Sequence, residues 1–168
     1  MAVMSRTWAM PNRWTYSIKP IGELLQKYKV GQGWVDPFCG ESQWAEYSTD
    51  LRLGIDAIEA LRKHEYDSVE GVLFDPPYSP RQIKECYELV GRKVTQQDTQ
   101  NQWTDEKNRA ALIIKPNGLC ISFGWNSMGL GKARGFEVIE VLLVSHGGAH
   151  NDTICTVEKR TNNHTAGG

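Results

Sequence analysis

The chain has 168 residues, 40% hydrophobic and 23% charged, which is the size and composition of one soluble globular domain with its own core. Its 19 Lys and Arg residues against 20 Asp and Glu residues give a net charge of −1, which excludes a positive field over the whole molecule, so any nucleic-acid partner needs a local patch. No apolar run has the length of a membrane span and the N-terminus lacks a signal-peptide core, so we expect a cytoplasmic protein with no membrane partner.

The first predicted helix follows a polar arm. Residues 1–13 show no periodic apolar pattern, and we expect them to lie as an arm on the domain. Pro20 suits the first turn of a helix, and four apolar residues recur behind it at helical spacing: Ile21, Leu24, Leu25 and Tyr28. The pattern predicts an amphipathic helix over residues 20–28.

Residues 34–40 combine a short apolar strand with an acid, a proline, an aromatic residue and a glycine. Gly40 permits close approach of a ligand to the backbone, and Asp36 can accept hydrogen bonds from an ammonium group. Residues 47–51 predict a second short strand that ends at Asp50. An acid one βα unit after such a loop binds ribose hydroxyls in Rossmann-like enzymes, so Asp50 is a candidate for that role, with a local cap as the alternative.

An acid also precedes the next helix. Residues 57–63 form an amphipathic helix in which Ile58 and Leu61 point inward, and Asp56 stands directly before it. Because aspartate is a common N-cap residue, the sequence alone predicts a capping role for Asp56.

Residues 72–78 are an apolar run that stops on an acid, two prolines and an aromatic residue. The run predicts a strand buried on both faces, which Pro76 and Pro77 end because neither can donate to a ladder. Asp75 then lies at the carboxyl end of a strand, the end that faces the ligand crevice of an open parallel sheet. Asp75 and the Pro76 carbonyl present acceptors, and Tyr78 adds a flat face.

Such a site suits a planar group with an amino substituent. The lone pair of the adenine amine is conjugated into the ring, which makes the amine a poor nucleophile. Two acceptors on its hydrogens would pull the nitrogen toward tetrahedral geometry and free the lone pair for an electrophile held opposite. A tight turn without function is the alternative for this tetrapeptide.

Cations and one aromatic side chain follow the proline pair. A helix is predicted over residues 79–91, with Arg81 and Lys84 near its positive end, where they bind phosphates or face solvent. Residues 92–108 predict a polar loop that either contacts nucleic acid or lies on the surface with its Trp packed on the body; its candidate contacts are Arg92, Lys93 and Trp103.

The rest of the chain predicts a short helix at residues 110–114, a turn at 115–118 and a central strand at 119–126. Trp125 falls at the carboxyl end of that strand, where it walls a base pocket or packs in the core. Residues 135–144 and 153–159 predict two antiparallel strands that close the sheet. The turn between them holds His146 and His150, and a hairpin tip that touches DNA is preferred to a metal site because no clear third ligand is present.

The four cysteines show no Cys-x-x-Cys spacing, which argues against a zinc site and against a disulfide framework alike; they are Cys39, Cys86, Cys120 and Cys155. We expect reduced thiols. The predicted fold is a single α/β domain over residues 1–160, a mostly parallel sheet of about seven strands with helices on both faces and an antiparallel edge pair. Residues 161–168 are expected to be disordered.

Several of these motifs resemble those of one enzyme family. Asp-Pro-Pro-Tyr at residues 75–78 resembles the catalytic motif of the S-adenosylmethionine-dependent amino-group DNA methyltransferases, and the aspartate favours their adenine-N6 branch. Asp-Pro-Phe-Cys-Gly at residues 36–40 resembles their cofactor loop, with Ser42 in place of its second glycine. The Lys-Pro pair ahead of the first helix is similar to theirs as well. The resemblance covers residues 14–160 and implies a Rossmann-like fold without a separate target-recognition domain.

The resemblance also implies roles. The cofactor would be S-adenosylmethionine, bound by Trp14, Tyr16, Ser17, Lys19, Asp36, Pro37, Phe38, Gly40, Asp50, Asp56 and Ala57. In this family the Asp-Ala pair holds the adenine end of the cofactor, so Asp56 can serve as a cap, as a cofactor contact, or as both. The catalytic residues would be Asp75, Pro76, Pro77 and Tyr78. The substrate and DNA contacts would be Ser79, Arg81, Lys84, Arg92, Lys93, Trp103 and Trp125. No metal is needed.

The activity implied is transfer of a methyl group to the N6 amine of a flipped-out adenine in DNA. The alternatives are an RNA or cytosine-N4 amino methyltransferase, and a catalytically degenerate methyltransferase that binds nucleic acid or a partner subunit. Because few residues remain for target recognition, we expect short or relaxed sequence specificity, or specificity supplied by a homodimer or a partner subunit. A small enzyme of this type fits a phage or another mobile element that protects its DNA.

Overall fold

The computed structural model describes residues 2–77, 91, 103–148 and 150–161. Its strands are β1 (Val3–Trp8), β2 (Trp34–Asp36), β3 (Tyr47–Ser48), β4 (Val69–Phe74), β5 (Ile114–Gly124), β6 (Phe136–Ser145) and β7 (Thr153–Arg160). Its helices are α1 (Lys19–Lys27), α2 (Ala57–Arg62) and α3 (Thr104–Ile113), and short 3-10 turns occupy Thr15–Ser17, Leu51–Leu53 and Lys132–Arg134. Within these ranges no helix is long and apolar enough to cross a membrane.

The strands form one sheet in the order β1-β6-β7-β5-β4-β2-β3. β7 runs antiparallel to β5 and β6, and the other paired strands are parallel. All strands except β7 therefore point the same way, and their carboxyl ends share one side of the sheet, named the carboxyl edge below. The predicted fold class, a mostly parallel seven-stranded α/β sheet with an antiparallel pair, is confirmed.

The core lies on both faces of the sheet because strand side chains alternate. Leu73 of β4 packs on one face with Leu25 of α1, whereas Val72 and Phe74 pack on the other face with Ile113 of α3. Full burial of one such side chain contributes about 1.5–3 kcal/mol. The continuous apolar run of β4 is thus explained by helices that cover both of its sides.

The N-terminal segment differs from the predicted arm because it is a strand. β1 pairs in parallel with β6, from Val3 beside Glu140 to Trp8 beside Ser145, and forms an edge of the sheet outside the antiparallel pair. Most of its side chains are exposed. An edge strand held by backbone hydrogen bonds needs no alternation of apolar and polar residues, which is why the sequence pattern did not reveal it.

Two predicted boundaries were wrong in the region before the central strand. Residues 104–108, expected in a loop, are the first half of α3. The expected turn at residues 115–118 lies inside β5 as an irregularity, because the pairing with β4 moves from Val69 beside Ile114 to Gly71 beside Leu119. Positive φ at Asn117 accompanies this shift. The helix predicted at residues 79–91 and the tail at 162–168 lie outside the described residues, apart from Gly91 itself.

Candidate active site

Asp75 lies where β4 reaches the carboxyl edge. The strand ends at Phe74, and Pro76 and Pro77 have no N–H with which to extend the ladder. The Asp75 carboxyl is partly buried, and the loss of solvent raises its pKa to about 7, while a hydrogen bond with the Thr15 side chain has a smaller lowering effect. Near neutral pH this carboxyl can therefore both accept and release a proton.

Asp36 ends β2, the neighbour of β4, and is fully buried. Its Oδ1 accepts a hydrogen bond from the Phe38 backbone N–H at 3.0 Å. Burial raises the pKa of Asp36 well above its ordinary range, and the charges of Asp75 and Asp50 raise it further. The Phe38 N–H and the Tyr16 hydroxyl act in the opposite direction, because both donate to the carboxylate. The acids at this edge are therefore electrostatically coupled.

Asp50 holds the loop that follows β2. Its Oδ2 accepts from the Gly40 backbone N–H and its Oδ1 accepts from the Arg52 backbone N–H, each at 2.9 Å. Gly40 has a φ of +57°, and a Cβ built there would lie 2.8 Å from the Trp14 ring. Both the backbone conformation and the close ring require glycine at this position. The carboxylate predicted to bind ribose hydroxyls thus also fixes the glycine loop.

Phe38 connects this loop to the catalytic strand. Its ring makes edge contacts with the rings of Phe74 and Trp103, and the ring centroids are 5.2 Å apart in each pair. Trp103 is 8% exposed and packs in the core directly before α3, so its ring occupies the packed position, one of the two that the sequence left open. The Trp103 ring therefore borders the loop from inside the protein.

Asp56 and Ala57 begin α2 beside this loop. Asp56 occupies the N-cap position, but its side chain makes no capping hydrogen bond. Its charge is one of the causes that raise the pKa of Glu106 in α3, after burial of Glu106 and the charge of Asp105. Capping therefore does not account for Asp56.

A cavity of about 1060 Å³ opens at the carboxyl edge. It reaches the upper end of the range of about 300–1,000 Å³ for small-molecule sites, so it has room for a nucleoside cofactor and part of a substrate. Of the residues predicted to bind the cofactor, it is lined by Trp14, Tyr16, Ser17, Pro37, Phe38, Gly40, Asp50, Asp56 and Ala57. Of the predicted catalytic and substrate residues, it is lined by Asp75, Pro76, Pro77, Trp103 and Trp125.

Two of the predicted residues do not line the cavity. Lys19 is exposed at the first position of α1, and Asp36 is buried without reaching the cavity surface. The remaining predicted residues lie outside the described part of the chain, which leaves open the placement of Tyr78, Ser79, Arg81, Lys84, Arg92 and Lys93.

The cavity rim includes cations that the sequence analysis did not single out. The Arg13 guanidinium lies 4.7 Å from the centroid of the Trp14 ring, and the Arg52 guanidinium lies 5.5 Å from it. All three side chains line the cavity. Thr15, the hydrogen-bond partner of Asp75, was also missed, although its position between two predicted cofactor contacts was a usable signal.

Described residues of the hairpin between β6 and β7 also line the cavity, among them His146, His150 and Thr153. His146 is buried, with Nδ1 3.0 Å from the Ala9 carbonyl oxygen and Nε2 2.8 Å from the Thr153 hydroxyl. Trp125 is half exposed and lines the cavity, so it is not a core residue. No three His, Cys, Asp or Glu side chains are grouped to hold a metal ion in the part of the chain that the structure describes.

Comparison with known proteins gives structural similarity only. No protein-family model and no curated protein matches the sequence. TrmN from Thermus thermophilus matches with a TM-score of 0.55 and 18% identity, covering 85% of this chain and 49% of TrmN. TTHA0409, also from Thermus thermophilus, gives 0.39 and 13%, covering 67% of this chain and 53% of its own. The 1,6-didemethyltoxoflavin-N1-methyltransferase from Burkholderia thailandensis gives 0.45 and 12%, covering 96% and 72%.

The chain has a Rossmann-like methyltransferase fold. It spans about half the length of TrmN and of TTHA0409. At this level of identity the likeness establishes the fold and no activity, so chemistry must be argued from the site itself. In this fold the cavity lies at the carboxyl edge, where ligands bind in open α/β sheets.

Proposed function

We propose that the protein transfers a methyl group from S-adenosylmethionine to the N6 amine of adenine in DNA. The observation that carries the proposal is one cavity lined both by Asp75-Pro76 and by the glycine loop that ends at Gly40. These two motifs are 35 residues apart in the sequence, and each resembles a different functional motif of the same enzyme family. If residues 75–78 were only a tight turn without function, there would be no reason for Asp75 and Pro76 to line the same cavity as the glycine loop.

The residues present fit this cofactor. S-adenosylmethionine carries an ammonium group, a sulfonium group and two ribose hydroxyls, which need acceptors and negative charge. The cavity lining includes four carboxylic acids, Glu41, Asp50, Asp56 and Asp75. We assign the ribose to Asp50, the adenine end to Asp56 and Ala57, and the methionine end to Tyr16 and Ser17. Bound there, the cofactor supplies an electrophilic methyl group.

Asp75 and Pro76 act on the amine that receives the methyl group. The Asp75 carboxylate and the Pro76 carbonyl accept hydrogen bonds from the two amine hydrogens, which frees the nitrogen lone pair. The amine nitrogen would gain the methyl group as the methyl–sulfur bond of the cofactor breaks and a neutral thioether leaves, and the nitrogen must then lose one proton. A carboxyl with a pKa of about 7 can take that proton and pass it to solvent. Tyr78 would stack on the flipped base, as its place in the motif implies.

The test is transfer of labelled methyl from S-adenosylmethionine to unmethylated DNA, followed by nucleoside analysis of the product. Asp75→Asn keeps the shape of the side chain and removes its negative charge, so we expect at least a hundredfold loss of transfer rate. Glu65→Gln changes an exposed acid near the amino end of β4 in the same way and should leave the rate unchanged. Calorimetry measures cofactor binding in all three proteins.

The outcomes separate the alternatives. N6-methyladenine that is lost in Asp75→Asn supports the proposal. Label on cytosine, or label in RNA and not in DNA, would contradict the proposed substrate. The proposed reaction type, methyl transfer from S-adenosylmethionine, would still hold. If cofactor binds but no nucleic acid is labelled, the proposal fails unless a partner subunit restores transfer. Absence of cofactor binding contradicts it altogether and favours the degenerate scaffold.

A further inference from the structure

The N-terminal segment has an unusual charge for this chain. Residues 1–22 contain Arg6, Arg13 and Lys19 but no Asp or Glu, and the first acid is Glu23. This segment therefore carries a net charge of +3 in a chain whose total is −1. A nucleic-acid partner requires local positive charge of this kind, because no field of the whole molecule attracts phosphates.

Aromatic and apolar side chains are interleaved with these cations and exposed. Met4, Arg6 and Trp8 point to the same face of β1 because strand side chains alternate. Met4 is 78% exposed, Trp8 is 61% exposed and Met10 is 70% exposed. Arg6 is also exposed, and its Nε donates to the Ser145 hydroxyl at 3.1 Å, which fixes the guanidinium beside the carboxyl end of β6.

The sheet register places Trp8 at the carboxyl edge of the sheet, at the same level along the strands as the candidate active site. Trp8 lies beside Ser145 of β6, Val144 lies beside Thr153 of β7, and Gly124 lies beside Ile154, so Trp125 follows directly at the end of β5. Three strand spacings separate β1 from β5, about 14 Å at 4.7–4.9 Å each. The next strand is β4, which carries Asp75.

We infer that the Arg6–Trp8 face, Arg13 and Trp125 form a binding track for single-stranded or unpaired nucleic acid that leads into the cavity. The inference rests on the proposed function for the identity of the reacting base. Trp125 stacks on a base next to the target, Trp8 stacks on a base farther along the strand, and the two arginines contact phosphates between them.

The chemistry of the track favours an unpaired strand over a duplex. The flat faces of exposed tryptophans stack on bases that are free of their own partners, and every base offers such a face. Within the described residues the proposed track has two arginines, Arg6 and Arg13, whereas binding of a duplex backbone depends on many phosphate contacts. An unpaired target adenine also enters the cavity at a lower cost than a base that must first leave its partner in a duplex. We therefore expect the track to bind strands of different sequence, because stacking does not distinguish the hydrogen-bonding edges of the bases.

The experiment measures binding of the full chain to a fluorescein-labelled, adenine-containing DNA oligonucleotide by anisotropy, as a single strand and annealed to its complement. We expect the single strand to bind at least tenfold more tightly. Trp8→Ala should weaken binding of the single strand by about tenfold. Arg6→Gln should reduce the slope of log affinity against log salt concentration by about 0.7.

Matched controls come from the opposite end of the sheet. Tyr66 is as exposed as Trp8 but lies in the turn before β4, so Tyr66→Ala should leave affinity unchanged. Lys63→Gln at the end of α2 is the control for Arg6→Gln. Equal loss in Trp8→Ala and Tyr66→Ala would overturn the inference. So would duplex binding as tight as single-strand binding, or a wild-type dimer that Trp8→Ala converts to a monomer, because the face would then be a contact between two copies.

Failure of this inference is distinguishable from failure of the proposed function. If Trp8→Ala transfers methyl groups to DNA at the full rate, the binding track is overturned and the proposed methyltransferase function is retained. Single-strand binding that depends on Trp8, without transfer to any nucleic acid, would support the track and contradict the enzyme. Asp75→Asn should abolish transfer while retaining single-strand affinity, since Asp75 lies inside the cavity and not on the track.

Discussion

The charge of Asp75 raises the pKa of Asp36, because the two acids stand at the ends of the neighbouring strands β2 and β4. Burial acts in the same direction on both carboxyls and is the larger cause for each. The pKa of Asp36 therefore depends on whether Asp75 is ionised. Under the proposed mechanism only the ionised form of Asp75 accepts both an amine hydrogen and, later, a proton.

The first prediction concerns the pH dependence of transfer. Because the pKa of Asp75 is about 7, the fraction ionised rises through neutral pH. The rate at saturating cofactor and DNA should therefore rise about tenfold per pH unit below pH 7 and level off above pH 8. Single-turnover rates between pH 5.5 and 9 measure this. A rate that is flat over this range would show that Asp75 does not act as an ionised acceptor.

The second prediction concerns stability. The folded-state pKa of Asp75, about 7, lies above the value near 4 of an unfolded aspartate, so the folded protein binds the proton more tightly between those two values. The free energy of unfolding contributed by Asp75 therefore falls as pH rises from about 4 to 7. Asp75→Asn should raise the free energy of unfolding by about 1–3 kcal/mol at pH 8, with little effect at pH 4.

Urea unfolding of wild type and Asp75→Asn at pH 4 and pH 8 measures that difference. Comparison of the two proteins at each pH removes the contributions of buried acids that do not interact with Asp75, such as Glu158, but keeps the change in Asp36 because its pKa depends on the charge of Asp75. A variant that is less stable than wild type at pH 8 would mean that the ionised carboxylate is held by contacts stronger than its desolvation. Gain of stability with loss of transfer is the pattern of a catalytic acid maintained for function.

The fold could be predicted from the sequence where local pattern and burial agree. β4 ends in an apolar run, residues 72–74, that lies between a glycine and an Asp-Pro-Pro sequence, and α1 has a proline at its start and apolar residues at helical spacing, so both elements were found. β1 could not be found, because an exposed edge strand is held by the backbone of β6, more than 130 residues away. The bulge before Leu119 likewise depends on its partner strand.

The candidate site was predictable to the extent that motifs mark it. Asp75, Gly40 and Asp50 were named from the residues around them, and the cavity brings them together. The second role of Asp50, acceptor for two backbone N–H groups, was not visible, because sequence spacing does not show where a side chain points. The contact between His146 and the Ala9 carbonyl was equally hidden, since it joins segments 137 residues apart.

The third prediction tests the glycine loop. Gly40→Ala introduces a Cβ 2.8 Å from the Trp14 ring at a positive φ, so it carries both backbone strain and a clash. Gly54→Ala is the matched control, because Gly54 also has a positive φ, +80°, but nothing lies within 4 Å of its Cβ. Each should lose about 1–2 kcal/mol of unfolding free energy through the backbone. Only Gly40→Ala should also weaken S-adenosylmethionine binding, by tenfold or more in calorimetry.

The last prediction separates the two roles of Asp50. Asp50→Ala leaves the N–H groups of Gly40 and Arg52 without their acceptor, which should cost about 1–3 kcal/mol of unfolding free energy. Asp50→Asn retains one acceptor oxygen and should lose about half as much. If Asp50 also binds the ribose, both variants should weaken S-adenosylmethionine binding more than they weaken binding of methionine alone. Equal weakening of the two ligands would restrict Asp50 to holding the loop.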